Sequence, residues 1–166
     1  MLVEAKILMT SAPAFFFVRT YSRISAGEPV SARIAPSDVS TRGPGMTPLA
    51  IHSFTPVLDG VVRTAELALL YDPRRERERA LAAAWAAGLG RALPELRVRR
   101  NYPYRGRSDG LTTWLRGRHA AERYLGLEVE VSQALLDVRG HVPERVAAAL
   151  VATLRRAAGP GAAVST

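Results

Sequence analysis

The rhythm of polar and apolar positions changes near residue 47. Before it, turn-forming clusters at Ser25-Ala26-Gly27-Glu28-Pro29, Ala35-Pro36-Ser37-Asp38 and Arg42-Gly43-Pro44-Gly45 break any period before it develops. Residues 1–46 are therefore expected to be irregular, with Phe15-Phe16-Phe17-Val18 as their one candidate strand. From Thr47 onward the runs are long enough to define elements. Leu49 to Phe54 is a short apolar run that closes on polar atoms, as a buried strand with a functional end would. Glu66 to Tyr71 predicts a second buried strand, stopped by Asp72-Pro73, where a proline and nearby acids start a helix. That helix is expected to reach about Leu93, with Leu81, Trp85 and Leu89 in its buried stripe and Pro94 ending it.

Leu96 to Arg99 alternates as a strand, and residues 101–110 form a long aromatic loop. Thr113 to Tyr124 predicts a helix, Leu127 to Val131 a strand, and Pro143 to Ala158 a helix that turns Val146, Leu150 and Leu154 inward. Residues 159–166, small and polar, are expected to be a flexible tail. Strands separated by helices predict α/β architecture: a single layered domain over residues 47–158, with a mixed sheet flanked by helices. A chain of 166 residues with 48% apolar content suffices for one such core.

The formal net charge of +8 raises nucleic acid as a partner, and the distribution of the charge argues against it. Lys6 is the only lysine, and the arginines are spread along the chain with glutamates between them, as in Arg74-Arg75-Glu76-Arg77-Glu78-Arg79. That pattern reads as a solvated helix face with i,i+4 pairs. An arginine-rich nucleic-acid-binding protein is thus the third reading, expected to show steeply salt-sensitive retention. The absence of cysteine leaves histidine and carboxylate as the only strong metal ligands. No apolar run approaches the ~20 residues of a membrane span, so no membrane partner is expected and a cytoplasmic address is the default. Ile7 to Val18 has the length of a signal core without a cleavage site after it.

His52, at the end of an apolar strand, could face a cleft outside the sheet, although a single histidine there is more often structural. Period-two alternation in Leu127-Glu128-Val129-Glu130-Val131 places Glu128 and Glu130 on one face, towards either a site or solvent. His119 and His141 read as structural or solvated.

The run Ala50-Ile51-His52-Ser53-Phe54-Thr55-Pro56-Val57, then Gly60 and Arg63, Leu70-Tyr71-Asp72, Asn101-Tyr102-Pro103-Tyr104, and Leu127 to Leu135 resembles the N-formylglutamate amidohydrolase family in order and spacing. The resemblance covers roughly residues 47 to 137. That family is similar to the zinc carboxypeptidases, in which a histidine at a strand end binds zinc and a glutamate on a later strand is the general base. The resemblance therefore implies part of a zinc-carboxypeptidase-like fold, zinc as cofactor, His52 as its ligand and Glu130 as the base. Zinc would bring the pKa of bound water towards 7, and glutamate would move the proton. Arg63, Asn101, Tyr104 and Arg105 are the groups expected around a small N-acyl amino acid: arginine forks a carboxylate, and amide or phenol donates to a carbonyl oxygen.

The family draws further zinc ligands from an N-terminal motif, and here no histidine precedes His52. The chain is accordingly expected to be N-terminally truncated or divergent, to bind zinc poorly, and to self-associate through an exposed sheet edge. The alternative, from a different class, is a noncatalytic remnant of the fold that binds an anionic ligand or partner through Arg63 and Arg105.

Overall fold

The computed structural model describes residues 17–19, 49–108 and 111–158. The expectations for the remainder of residues 1–46 and for the tail 159–166 lie outside the described residues. The strands are β1 (Phe17–Arg19), β2 (Leu49–Phe54), β3 (Val57–Leu58), β4 (Val61–Val62), β5 (Leu67–Leu70), β6 (Val98–Arg100) and β7 (Leu127–Ser132), and the helices are α1 (Glu76–Ala92), α2 (Leu111–Arg116) and α3 (Glu144–Ala158). Five strands form one sheet in the order β1-β2-β7-β5-β6. β1, β2 and β7 run parallel, β5 runs antiparallel to β7, and β6 runs parallel to β5, so the sheet is mixed as expected.

The last strand in the sequence is the central one in space. All six residues of β7 are buried, and all four of β5. Helices α1 and α3 cover one face, where Leu67, Leu69, Leu127, Val129 and Val131 meet Ala82, Trp85, Leu89, Val146, Leu150 and Leu154 in a single core. Trp85 is fully buried, and its indole N–H is satisfied on α3, donating to Thr153 Oγ1 at 3.0 Å and to the Leu150 carbonyl at 3.2 Å. The alternate residues, Ala50, His52, Glu128, Glu130, Ala68 and Leu70, belong by strand alternation to the opposite face.

Four expectations need correction. The helix expected at Asp72-Pro73 begins at Glu76, because Asp72 spends its carboxylate on a turn, accepting from the Arg74 backbone N–H at 3.0 Å and from its guanidinium at 2.9 Å. The helix expected over Thr113 to Tyr124 is α2, which ends at Arg116 and gives way to turns at Gly117. Val57 to Val62, not foreseen as strands, is a β3–β4 hairpin whose turn residues Asp59 and Gly60 both have positive φ (51° and 76°), the pairing that two-residue hairpin turns require.

The fourth correction concerns Glu78, read as part of a solvated face and found fully buried. Its carboxylate accepts from the backbone N–H of Asp72 (2.9 Å) and Gly126 (3.1 Å) and from Arg116 Nε and Nη2 (3.1 and 3.0 Å). Arg116, whose side chain is 7% exposed, also donates to the carbonyls of Gly126 (2.7 Å) and Gly106. Nearly every polar atom of this buried pair is thus satisfied, the condition under which such a pair is tolerated, and removing one partner leaves an uncompensated charge. Glu78→Ala or Arg116→Ala is expected to lower the unfolding free energy in urea by about 3–5 kcal/mol. Arg139→Ala, on the surface, should change it by less than about 0.5 kcal/mol. A Glu78→Ala protein as stable as the parent would contradict this role.

Candidate active site

The parallel register of β2 and β7 sets His52 directly beside Glu130, and Ala50 beside Glu128. On the other side of β7, Ala68 lies beside Glu130 and Leu70 beside Glu128. Two of these neighbours are alanines, Ala50 beside Glu128 and Ala68 beside Glu130. The expectation that Glu128 and Glu130 share a face holds, and both face inward: they are 8% and 5% exposed. The His52 side chain, 26% exposed, is the more open member of the group.

Glu128 is fixed from above by α2. Its Oε1 accepts a short hydrogen bond from the buried Thr112 hydroxyl. Its Oε2 lies 3.7 Å from His52 Nε2, too long for a hydrogen bond. Burial pushes the His52 pKa down, so the imidazole is neutral at neutral pH and the two groups are neighbours rather than an ion pair. A neutral imidazole is the form that ligates metals and accepts protons.

Glu130 is the most perturbed group of the site. Burial, and then repulsion from Glu128, push its pKa up to about 8, with Arg63 pulling in the opposite direction. Its Oε2 is buried without a hydrogen-bond partner among the described residues. A buried carboxyl oxygen with no partner is rare enough to demand an explanation, and a catalytic role is one such explanation.

Arg63 follows the hairpin. Its backbone N–H donates to the Pro56 carbonyl at 2.8 Å, and its guanidinium lies over Phe54 (5.9 Å) and Tyr104 (5.2 Å), with Nη1 donating to the Tyr104 hydroxyl at 3.2 Å. The structure thus gathers His52, Glu128, Glu130, Arg63 and Tyr104. Asn101 stands apart, at the end of β6 and two strands from β7. With φ of 50°, its side-chain carbonyl accepts from the backbone N–H of Tyr71 (3.1 Å) and Gly106 (3.2 Å), which leaves its NH2 end for a ligand. Gly106 is required here, since a Cβ would lie 2.1 Å from the Tyr71 nitrogen. Arg105 is exposed, and no hydrogen bond joins its side chain to the group. His119 and His141 lie elsewhere, on the turn after α2 and in an exposed pair with Asp137 (3.7 Å).

Thr112, and Glu128 as a close neighbour of His52, were not singled out from the sequence. The signal for Glu128 was its alternation with Glu130; nothing local marks Thr112, which acts across 16 residues.

No protein-family model matches the chain, and no curated protein does. Solved structures do match. The crystal structure of a gene product of Agrobacterium tumefaciens is 32% identical over 68% of this chain and 42% of its own, with a TM-score of 0.50. Over the matched part, the two chains share a fold. An N-formylglutamate amidohydrolase from Ralstonia eutropha JMP134 also matches, at 22% identity over 68% of this chain and 44% of its own, with a TM-score of 0.40. The chain spans less than half the length of either protein. No described helix is long and apolar enough to cross a membrane.

The raised Glu130 pKa has a consequence for stability. Between pH 4.5 and 8 the folded protein holds a proton on Glu130 that the unfolded chain has released, so stability falls as pH rises through this window and levels off above it. Glu130→Gln, which removes the titration, is expected to be near neutral at pH 4 and to gain a few kcal/mol over the parent by pH 8.5, measured by urea unfolding across pH. A difference independent of pH would rule out a buried, protonated Glu130.

Proposed function

We propose that this chain carries the water-activating part of an amidohydrolase site acting on a small N-acyl amino acid. The observation that carries the reading is the Glu130 carboxyl: buried on the central strand, with one unpartnered oxygen, side by side with His52. A carboxyl with its pKa moved to about 8 is matched to general acid–base work near neutral pH. In its ionised form, which gains population as pH approaches 8, Glu130 takes a proton from water as the oxygen attacks the amide carbonyl, and returns it to the amine nitrogen as the C–N bond breaks. Tyr104 donates to the carbonyl oxygen as charge develops on it, and Arg63, braced by Tyr104, holds the carboxylate of the amino acid. The sequence resemblance over residues 47 to 137 supports amide chemistry in particular.

The zinc that the resemblance implies fits this donor set in part. His52 and Glu128 would hold it, and when bound it would polarise water and carbonyl. A catalytic zinc keeps three protein ligands, and the described residues contain no cluster of three histidine, cysteine or acidic side chains that could hold a metal. The proton-transfer role therefore stands on Glu130 itself.

N-formyl and N-acetyl amino acids are expected to be hydrolysed by the full chain supplied with zinc, and Glu130→Gln should be slower by at least about 100-fold. Zinc retained after gel filtration, by elemental analysis, should fall in His52→Ala. Glu130→Gln turnover equal to the parent's would overturn the assignment of the base. Absence of hydrolysis of any acyl amino acid, with or without zinc, would overturn the activity.

A further inference from the structure

A second concave site lies away from Glu130, at the edge of the sheet. Tyr71, Arg99, Arg100, Asn101 and Tyr102 line an open cleft of about 400 Å³ where β5 and β6 end. These strands are parallel neighbours, and the carboxyl ends of parallel strands are where open α/β sheets place their ligands. The volume falls within the range of small-molecule sites.

The chemistry of the walls is specific. Arg99 and Arg100 are consecutive on the edge strand, and both line the cleft. Neither has an ion-pair partner among the described residues, whereas neighbouring Arg97 is held by Glu66 at 2.9 Å. Arg99 lies over the Tyr102 ring at 5.4 Å. The rest of the cleft is prebuilt: the Tyr102 hydroxyl accepts the Thr64 backbone N–H at 2.9 Å, and Asn101 is pinned to Tyr71 and Gly106.

The register also separates this cleft from the candidate active site. His52, Glu130, Ala68 and Arg99 form one row across β2, β7, β5 and β6. At the backbone, Arg99 lies two strand spacings, about 10 Å, from Glu130 and three, about 14 Å, from His52. We propose that this cleft binds a second small molecule through its oxyanion group, a carboxylate or phosphate clasped by the two guanidinium groups. Two cations in a concave cleft suit a compact anion better than the extended backbone of a polynucleotide, which needs a line of them. The proposal is independent of the amidohydrolase reading.

Calorimetric titration of the full chain with inorganic phosphate in one series and malonate in another tests it and distinguishes the two sources of oxyanion. Saturable binding of one anion per chain is expected for at least one of them, weakened at least about tenfold in R99Q/R100Q, whose exposed side chains leave thermal unfolding unchanged. The control R91Q/R139Q removes the same charge elsewhere and should bind as the parent does. No saturable binding of either anion, equal loss in the control, or binding of an oligonucleotide that free phosphate fails to displace would each overturn the proposal.

Discussion

The buried pair of Glu78 and Arg116 ties together segments that lie far apart in the chain. Glu78 opens the first helix, and Arg116 closes the second. Between them they fix the turn after β5 through Asp72, the long loop through Gly106, and the approach to β7 through Gly126. A hydrophobic contact of the same size could fill the space, but it could not name three backbone groups at once. The active-site side of the sheet depends on this. Thr112 lies one helical turn before Arg116, on the same face of α2, so anchoring Arg116 sets the Thr112 hydroxyl on Glu128.

From Glu128 the influence passes along the sheet. Burial raises the pKa of Glu130 and the charge of Glu128 adds to it, while the Glu128 carboxylate lies 3.7 Å from the His52 ring. Two acids and a histidine in so little space would ordinarily be solvated. Here they are inserted into the central strand and its neighbour, with alanines to either side, and the energetic penalty appears as a carboxyl that keeps its proton near neutral pH. The core on the opposite face carries the stability that tolerates this, with Trp85 linking α1 to α3.

Much of the scaffold was legible. β2, β5, β7, α1 and α3 could be placed from their apolar runs and periods, and the mixed sheet follows from two strands met without a helix between them. The hairpin was legible in principle: Asp59-Gly60 between two pairs of apolar residues is a turn signal, but strands of two residues are too short to show a period. Glu78 was not legible, because in a run of alternating arginine and glutamate it looks like its neighbours Glu76 and Arg79, and its partner lies 38 residues away. His52 and Glu130 could be named by resemblance, whereas their adjacency is a matter of register between strands 78 residues apart and appears only in three dimensions. The same holds for Asn101, whose residue type suggested a substrate contact and whose side-chain carbonyl is committed to holding the loop.

The claim on which the account turns is that Glu130 is buried beside His52 and keeps its proton. Carbon-13 NMR of the glutamate carboxyl carbons, assigned by comparison with Glu130→Gln and followed across pH, measures this directly. The account predicts one resonance that titrates near pH 8, absent in the variant. A Glu130 carboxyl that titrates with the exposed glutamates near pH 4.5 would contradict it.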